Sequence, residues 1–413
     1  MLQQLMYALP ELALLAGIAN LLWLRVISTD SAKIYSHIAR FWVLISLFLS
    51  IIFYERQWNN NLINNAYTLL FIIWIDVSAY VMLALSSTWF SSQNITGCKY
   101  NSLILASGIC FNLLLAANNI NIIFCTLVFL LFINRSLIKI SYDKKSEVKT
   151  KYYTIISLVM LVIFLFSYAY LYIVTAGKTE FSVLTLYLEQ HKMILPLFCC
   201  ALGLITLFLY ALGIAPFHAV IEEKVSNSIL PVAHYFAIIV PIVMWGMIIK
   251  INHIIFPAYS HILSSVYVIF AILSVIIGAI GANVRTNLNQ IYAYSSMYHF
   301  GIVLLLLSIA QEQAEFAAFI YLLVYIIGLN GLYASFYNLK SHGEYLNSVS
   351  SLAGLAQTRP HTTYALLISI FSLKGFPPLA GFLGQFNSIY QLVNMKMYIC
   401  LIIICLCFLL LAK

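Results

Sequence analysis

The sequence predicts an all-α polytopic membrane protein of about 13 transmembrane helices, and three observations predict it. Of its 413 residues, 63% are hydrophobic and only 8% charged, which leaves no polar shell for a water-soluble domain. Apolar runs of about 20 residues, the length that crosses a bilayer as a helix, recur thirteen times. Lys and Arg gather in alternate connections, as basic residues do on the side from which helices insert.

The runs lie at about 5–25, 39–54, 66–87, 101–117, 120–135, 152–174, 194–217, 229–250, 262–282, 290–310, 314–338, 362–393 and 396–412. Connections are mostly short, so 1–413 reads as a single integral membrane domain. Odd-numbered connections hold fourteen basic residues, from Arg25 and Lys33 through Lys224 to Lys340 and Arg359; even-numbered ones hold five: Arg56, Lys178, Lys192, Lys250 and Lys396. One miscounted helix would invert every later connection, so this bias supports the count. The N-terminus is expected opposite the basic compartment. Topology also accounts for the net charge of +8, and no nucleic-acid partner is implied. The charged stretch Tyr142–Lys151 reads as a solvated connection rather than a lipid-headgroup site.

Only a few residues, beginning Met-Leu-Gln, precede the first run, so no cleavable signal with a basic n-region is expected. Heavy use of Ile, Leu, Phe, Tyr, Asn and Lys beside six arginines resembles the product of an AT-rich organellar genome. Seven of the eight cysteines fall in apolar runs and none forms CxxC. They read as small apolar residues, not as disulfide, zinc or iron–sulfur ligands. No P-loop, GxGxxG, GxSxG or HExxH is present, so no soluble catalytic constellation is expected.

Two runs are interrupted: the seventh at ALGIAPFHAV (211–220) and the twelfth at LKGFPPLAG (373–381). Proline frees backbone groups that neighbours or water must satisfy within a membrane, so such breaks mark candidate ion pathways. Ionisable residues inside apolar runs carry a cost that a partner or a function offsets. They are Asp76, His234, His299 and Lys374. Glu11 sits near a run's start and His218 at a run's end. Each histidine can be a satisfied hydrogen-bonding group or a proton carrier. Lys374, beside a break, can be reached by water or can snorkel to an interface.

Six motifs, in order, carry a resemblance: LPELALLAG (9–17), KYNSLILASGICFNLLLAANN (99–119), APFHAVIEEKVSNSILPV (215–232), TNLNQIYAYSSMYHFG (286–301), LAGLAQTRP (352–360) and FSLKGFPPLAGFLGQF (371–386). Their order and spacing over about 9–390 resemble the subunit 2 family of respiratory NADH:ubiquinone oxidoreductase, complex I, among its antiporter-like membrane subunits. The resemblance implies two inverted five-helix repeats, helices 4–8 (about 101–250) and 9–13 (about 262–412), after three N-terminal helices (about 5–87), with helices 7 and 12 broken. It implies a non-catalytic membrane-arm subunit of a proton-translocating NADH:ubiquinone reductase in the mitochondrial inner membrane. Its partners would be other membrane-arm subunits and lipids, with no cofactor and no soluble substrate of its own. A subunit of a multisubunit cation/proton antiporter, which shares the fold, is the alternative.

Carried over position by position, the resemblance implies a glutamate at Val128 and lysines at Ala211, Pro241 and Gln385. All four charges are absent, so the subunit's own proton path is expected to be degenerate. Lys250 is nine residues past Pro241, about 13 Å along a helix, and does not replace the missing group. Lys374 precedes Gln385 by eleven residues, across the break. Asn289-Gln290 stand where the family tends to a basic pair. A helix beyond the thirteenth is expected to be missing or supplied by another subunit, since the chain stops at Lys413.

Overall fold

A computed structural model of the chain describes residues 8–27, 31–53, 57–58, 61–140, 147–190, 195–221, 224–225, 228–254, 259–341, 344–345 and 348–411. Each of the thirteen apolar runs returns as helix. The first eleven correspond to α1 (Leu9–Val26), α2 (Ala32–Ile52), α3 (Ala66–Ser92), α4 (Cys98–Ala116), α5 (Ile120–Ile140), α6 (Glu147–Val174), α7 (Leu195–Leu212), α8 (Leu230–His253), α9 (Ser260–Val284), α10 (Leu288–Leu307) and α11 (Glu312–Asn338). All eleven are long and apolar enough to span a membrane. The twelfth run forms two shorter helices, α12 (Pro360–Leu373) and α13 (Ala380–Asn394), and the last forms α14 (Tyr398–Leu411). Within the Tyr142–Lys151 stretch, residues 142–146 lie outside the described residues, as do Arg56, Lys192 and Lys413, and the rest begins α6.

Helix starts follow from local chemistry. Asn65 caps α3 by accepting from the Thr68 N–H at 2.9 Å, while Thr68 Oγ1 accepts from the Asn65 N–H at 2.8 Å, a reciprocal box that satisfies two orphan donors. The Asn287 side chain does the same work for α10, accepting from the Asn289 N–H at 3.0 Å. Proline opens α1 and α12, where its missing N–H would have had no partner.

The two interrupted helices end alike. At the end of α7, Gly213 adopts φ +67°, and the Ile214 N–H reaches back to the Leu209 carbonyl at 3.1 Å. At the end of α12, Gly375 adopts φ +70°, and the Phe376 N–H reaches the Phe371 carbonyl at 3.0 Å. Both are glycine-terminated stops in which a left-handed residue lets the next N–H satisfy an orphan carbonyl. Each glycine also admits a close neighbour. A Cβ on Gly213 would lie 2.0 Å from Ile221, and one on Gly375 would lie 2.3 Å from Gln385. The seventh run therefore ends at Leu212 rather than continuing to 217, because Gly213 stops it before Pro216 is reached.

The chain forms two compact units. The first comprises residues 1–208, 229–232 and 241–258. In it α1 packs on α2 and α4, α2 on α3, and α4 on α5. The second comprises 209–228, 233–240 and 259–413, so residues around the first break cluster with it. There α9 lies along α10, where a Cβ on Gly278 would meet the Tyr298 backbone nitrogen at 2.6 Å and one on Gly301 the Ala271 carbonyl at 2.9 Å. Small residues let membrane helices approach this closely. The remaining elements of the second unit are α11, packed on α12 and α13, and α14, packed on α9.

Candidate functional site at the helix breaks

The second break adjoins a cavity of about 380 Å³ whose lining includes Arg285, Tyr292, His299, Lys374 and Gln385. Gln385 stands across the cavity wall from the α12 stop, its Nε2 3.5 Å from the Leu373 carbonyl. His299 Nδ1 is 2.7 Å from the Tyr321 hydroxyl. Its ring centroid lies 4.3 Å from that of Tyr325, whose hydroxyl donates to Ser296 Oγ at 2.8 Å. Two of the four ionisable candidates, Lys374 and His299, thus share one space with Gln385, although the chain separates them by 75 positions.

His234 is 0% exposed and does not line that cavity. Its ring stacks on Tyr333 at 4.7 Å with planes 6° apart, and Nε2 lies 3.3 Å from Asn330 Oδ1. Among the described residues its Nδ1 has no hydrogen-bond partner. A π turn, Tyr235–Ile239, follows directly. Pro241 explains it: with no N–H and a ring that crowds the carbonyl four residues back, proline disrupts the α ladder. The Val240 N–H bonds to the Tyr235 carbonyl five residues earlier.

Asp76, 3% exposed on α3, belongs to the first unit, whereas Lys374 and His299 belong to the second. Glu11 is its charged neighbour. Asp76 Oδ2 and Glu11 Oε2 are both buried without a hydrogen-bond partner among the described residues. Val128 is half-buried on α5, Ala211 half-buried in the last turn of α7, and Pro241 buried in α8. None of these three can hold a proton.

Two lysines acquire meaning only from the fold. Lys250, near the end of α8, is buried, and its Nζ donates to the Leu115 and Ala117 carbonyls at 2.5 and 2.7 Å. It caps the C-terminus of α4, where a cation also meets the negative end of the helix dipole. Lys224, which the sequence presents as one more basic residue of an odd connection, is buried as well. No local signal distinguishes it, because its burial depends on Tyr210 and Phe236 from the flanking helices.

A helical multi-pass protein whose buried titratable groups flank two glycine- and proline-bearing breaks is of the antiporter-like membrane class. Residues 117–410 match the family described as NADH:quinone oxidoreductase/Mrp antiporter, TM, and the chain belongs to that family. NADH-quinone oxidoreductase subunit N of Rickettsia felis is 27% identical over 407 residues, covering 95% of this chain and 86% of that protein. Subunit N of Parvibaculum lavamentivorans is 27% identical over a shorter stretch, 46% of this chain and 39% of that protein. Respiratory complex I from Thermus thermophilus superposes with TM-score 0.79 at 17% identity, over 98% of this chain and 87% of that one. The Mrp complex from Dietzia sp. superposes with TM-score 0.84 at 16% identity, over 100% and 78%. These likenesses establish the fold.

Proposed function

We propose that the chain is the subunit N counterpart in a membrane-bound NADH:ubiquinone oxidoreductase, a membrane-arm subunit taking part in electron transport coupled to proton translocation. The observation that carries this reading is the match to Rickettsia felis subunit N over 95% of the chain. The subunit is non-catalytic and carries no cofactor; NADH oxidation and quinone reduction belong to other subunits. Its partners are the neighbouring membrane-arm subunits and lipids. The organellar bias of the sequence favours the mitochondrial inner membrane, with odd connections facing the matrix.

The inherited proton route is degenerate in this reading. A proton wire needs titratable groups within hydrogen-bond or single-water reach, and Val128, Ala211 and Pro241 offer none, while Lys250 is committed to the carbonyls of α4. The fold does not separate this reading from a cation/proton antiporter subunit, since both structural neighbours superpose well. The sequence relatives favour the oxidoreductase. Native gel electrophoresis of mildly solubilised membranes tests it: the chain should co-migrate with a large NADH-oxidising assembly. Migration free of that assembly, or with a set of antiporter subunits, would overturn the proposal.

A further inference from the structure

We propose that Glu11, Ser46, Asp76 and Asn112, one from each of the first four helices, bind a single divalent cation of calcium's kind. The site precedes residues 117–410, the stretch that matches the family, and is independent of the proposed function.

Its parts are polar side chains enclosed without partners. Asp76 is buried on α3, and Asn112 on α4 and Ser46 on α2 are only 1% and 0% exposed. Glu11 Oε2, Ser46 Oγ, Asp76 Oδ2 and both polar atoms of the Asn112 amide are buried with no hydrogen-bond partner among the described residues. Buried polar groups are otherwise almost always paired, and an orphan calls for a water or an ion. Here each of four helices brings one.

The packing of these helices sets the four groups at one level. A Cβ on Gly108 would lie 3.3 Å from Leu14, and one on Gly17 would lie 3.0 Å from Leu105 and 2.8 Å from Trp42, so α1 runs antiparallel to α4. One turn nearer the start of α1 than Leu14, Glu11 is therefore level with the turn of α4 that follows Gly108 and carries Asn112. Ser46 stands one turn beyond Trp42, beside the same end of α1. Asp76 joins them from α3, which packs on α2 and α4, and Glu11 is its charged neighbour.

All four groups present oxygen. Carboxylate, amide and hydroxyl oxygens are hard ligands that suit calcium and its class, whereas zinc and copper favour nitrogen and sulfur. With each carboxylate binding through one or both oxygens, the set offers up to about six, at the low end of the roughly six to eight that calcium takes. Two carboxylates also balance a divalent charge, which leaves the loaded site neutral where net charge is costly. A proton shared by the carboxyls would leave the Asn112 carbonyl and the Ser46 hydroxyl unanswered. Glu11 lies in the first turn of α1, and Ser46 and Asn112 in the last two turns of α2 and α4, so a cation has a short way in from the end of these helices.

The test uses the full chain, purified in detergent and stripped with EGTA. All six tryptophans belong to the first unit, so their fluorescence reports its melting. CaCl2 should raise the melting temperature by an amount that grows with the logarithm of its concentration, as a ligand of the folded state does. Choline chloride at matched ionic strength should give no such shift, and equilibrium dialysis with 45Ca2+ should find one ion per chain. D76N and E11Q keep the side-chain volume and remove a charge; each should lose the bound ion and the response to CaCl2. No shift or no retained calcium in the wild type overturns the proposal, as does a wild-type response in D76N, which would put the ion elsewhere. Should both variants fail to accumulate, S46A, which removes a neutral ligand, should bind calcium more weakly than the wild type, and equal affinity overturns the site.

Discussion

The ammonium of Lys250 donates to the carbonyl of Leu115 at 2.5 Å, although the two are 135 positions apart in the chain. This bond and its companion to Ala117 turn an apparent intramembrane charge into the C-cap of α4. Removing the donor strands two acceptors in a buried place. K250M should lower the stability of the first unit by about 1–3 kcal/mol, the usual cost of an unsatisfied buried polar group, read as a lower melting temperature. Unchanged melting together with a lowered proton yield would instead make Lys250 a proton carrier.

The second break depends on the absence of a side chain at Gly381. A Cβ there would lie 1.6 Å from the Ser372 carbonyl, whereas one on Gly354 meets nothing within 4 Å. Accordingly, G381A should sharply reduce accumulation of the assembled protein. G354A carries only the local cost of placing alanine at φ +76°, about 1–2 kcal/mol. Equal accumulation of the two variants would show that α12 and α13 can separate without consequence.

Lys374 lines the cavity beside Gln385 and His299, yet the degenerate inherited route gives it no continuous wire. Substitution K374A is expected to leave protons per NADH unchanged. A lowered ratio would revive a path rebuilt through Lys374 and His299.

The charge bias fixes sidedness. A cysteine introduced at Gln93, in the connection after α3, should react with an impermeant maleimide from the basic compartment. One at Lys178, after α6, should react only from the opposite side. Labelling of both from one side would refute the helix count.

Sequence pattern located nearly every helix because apolar length is a local property, as is the glycine that ends α7 and α12. The seventh run extends in composition to 217 but its helix ends at Leu212, since Gly213 in the left-handed region stops it before Pro216 is reached. The candidate site was less legible. Asp76, His234, His299 and Lys374 stood out as ionisable residues in apolar runs, but which of them share a space depends on how the helices pack. Lys224 and Lys250 gave no signal of their burial.

By itself the sequence determined the membrane class, the order and approximate positions of the helices, the two breaks, and the family, because each is written in short-range composition or in the order of motifs. Only the tertiary structure decided that Lys250 caps α4, that Lys374 and His299 meet at one cavity, and that Lys224 is enclosed between Tyr210 and Phe236. The physical reason is that a charged group's behaviour depends on its desolvation and its partners, and in this chain those partners come from distant helices.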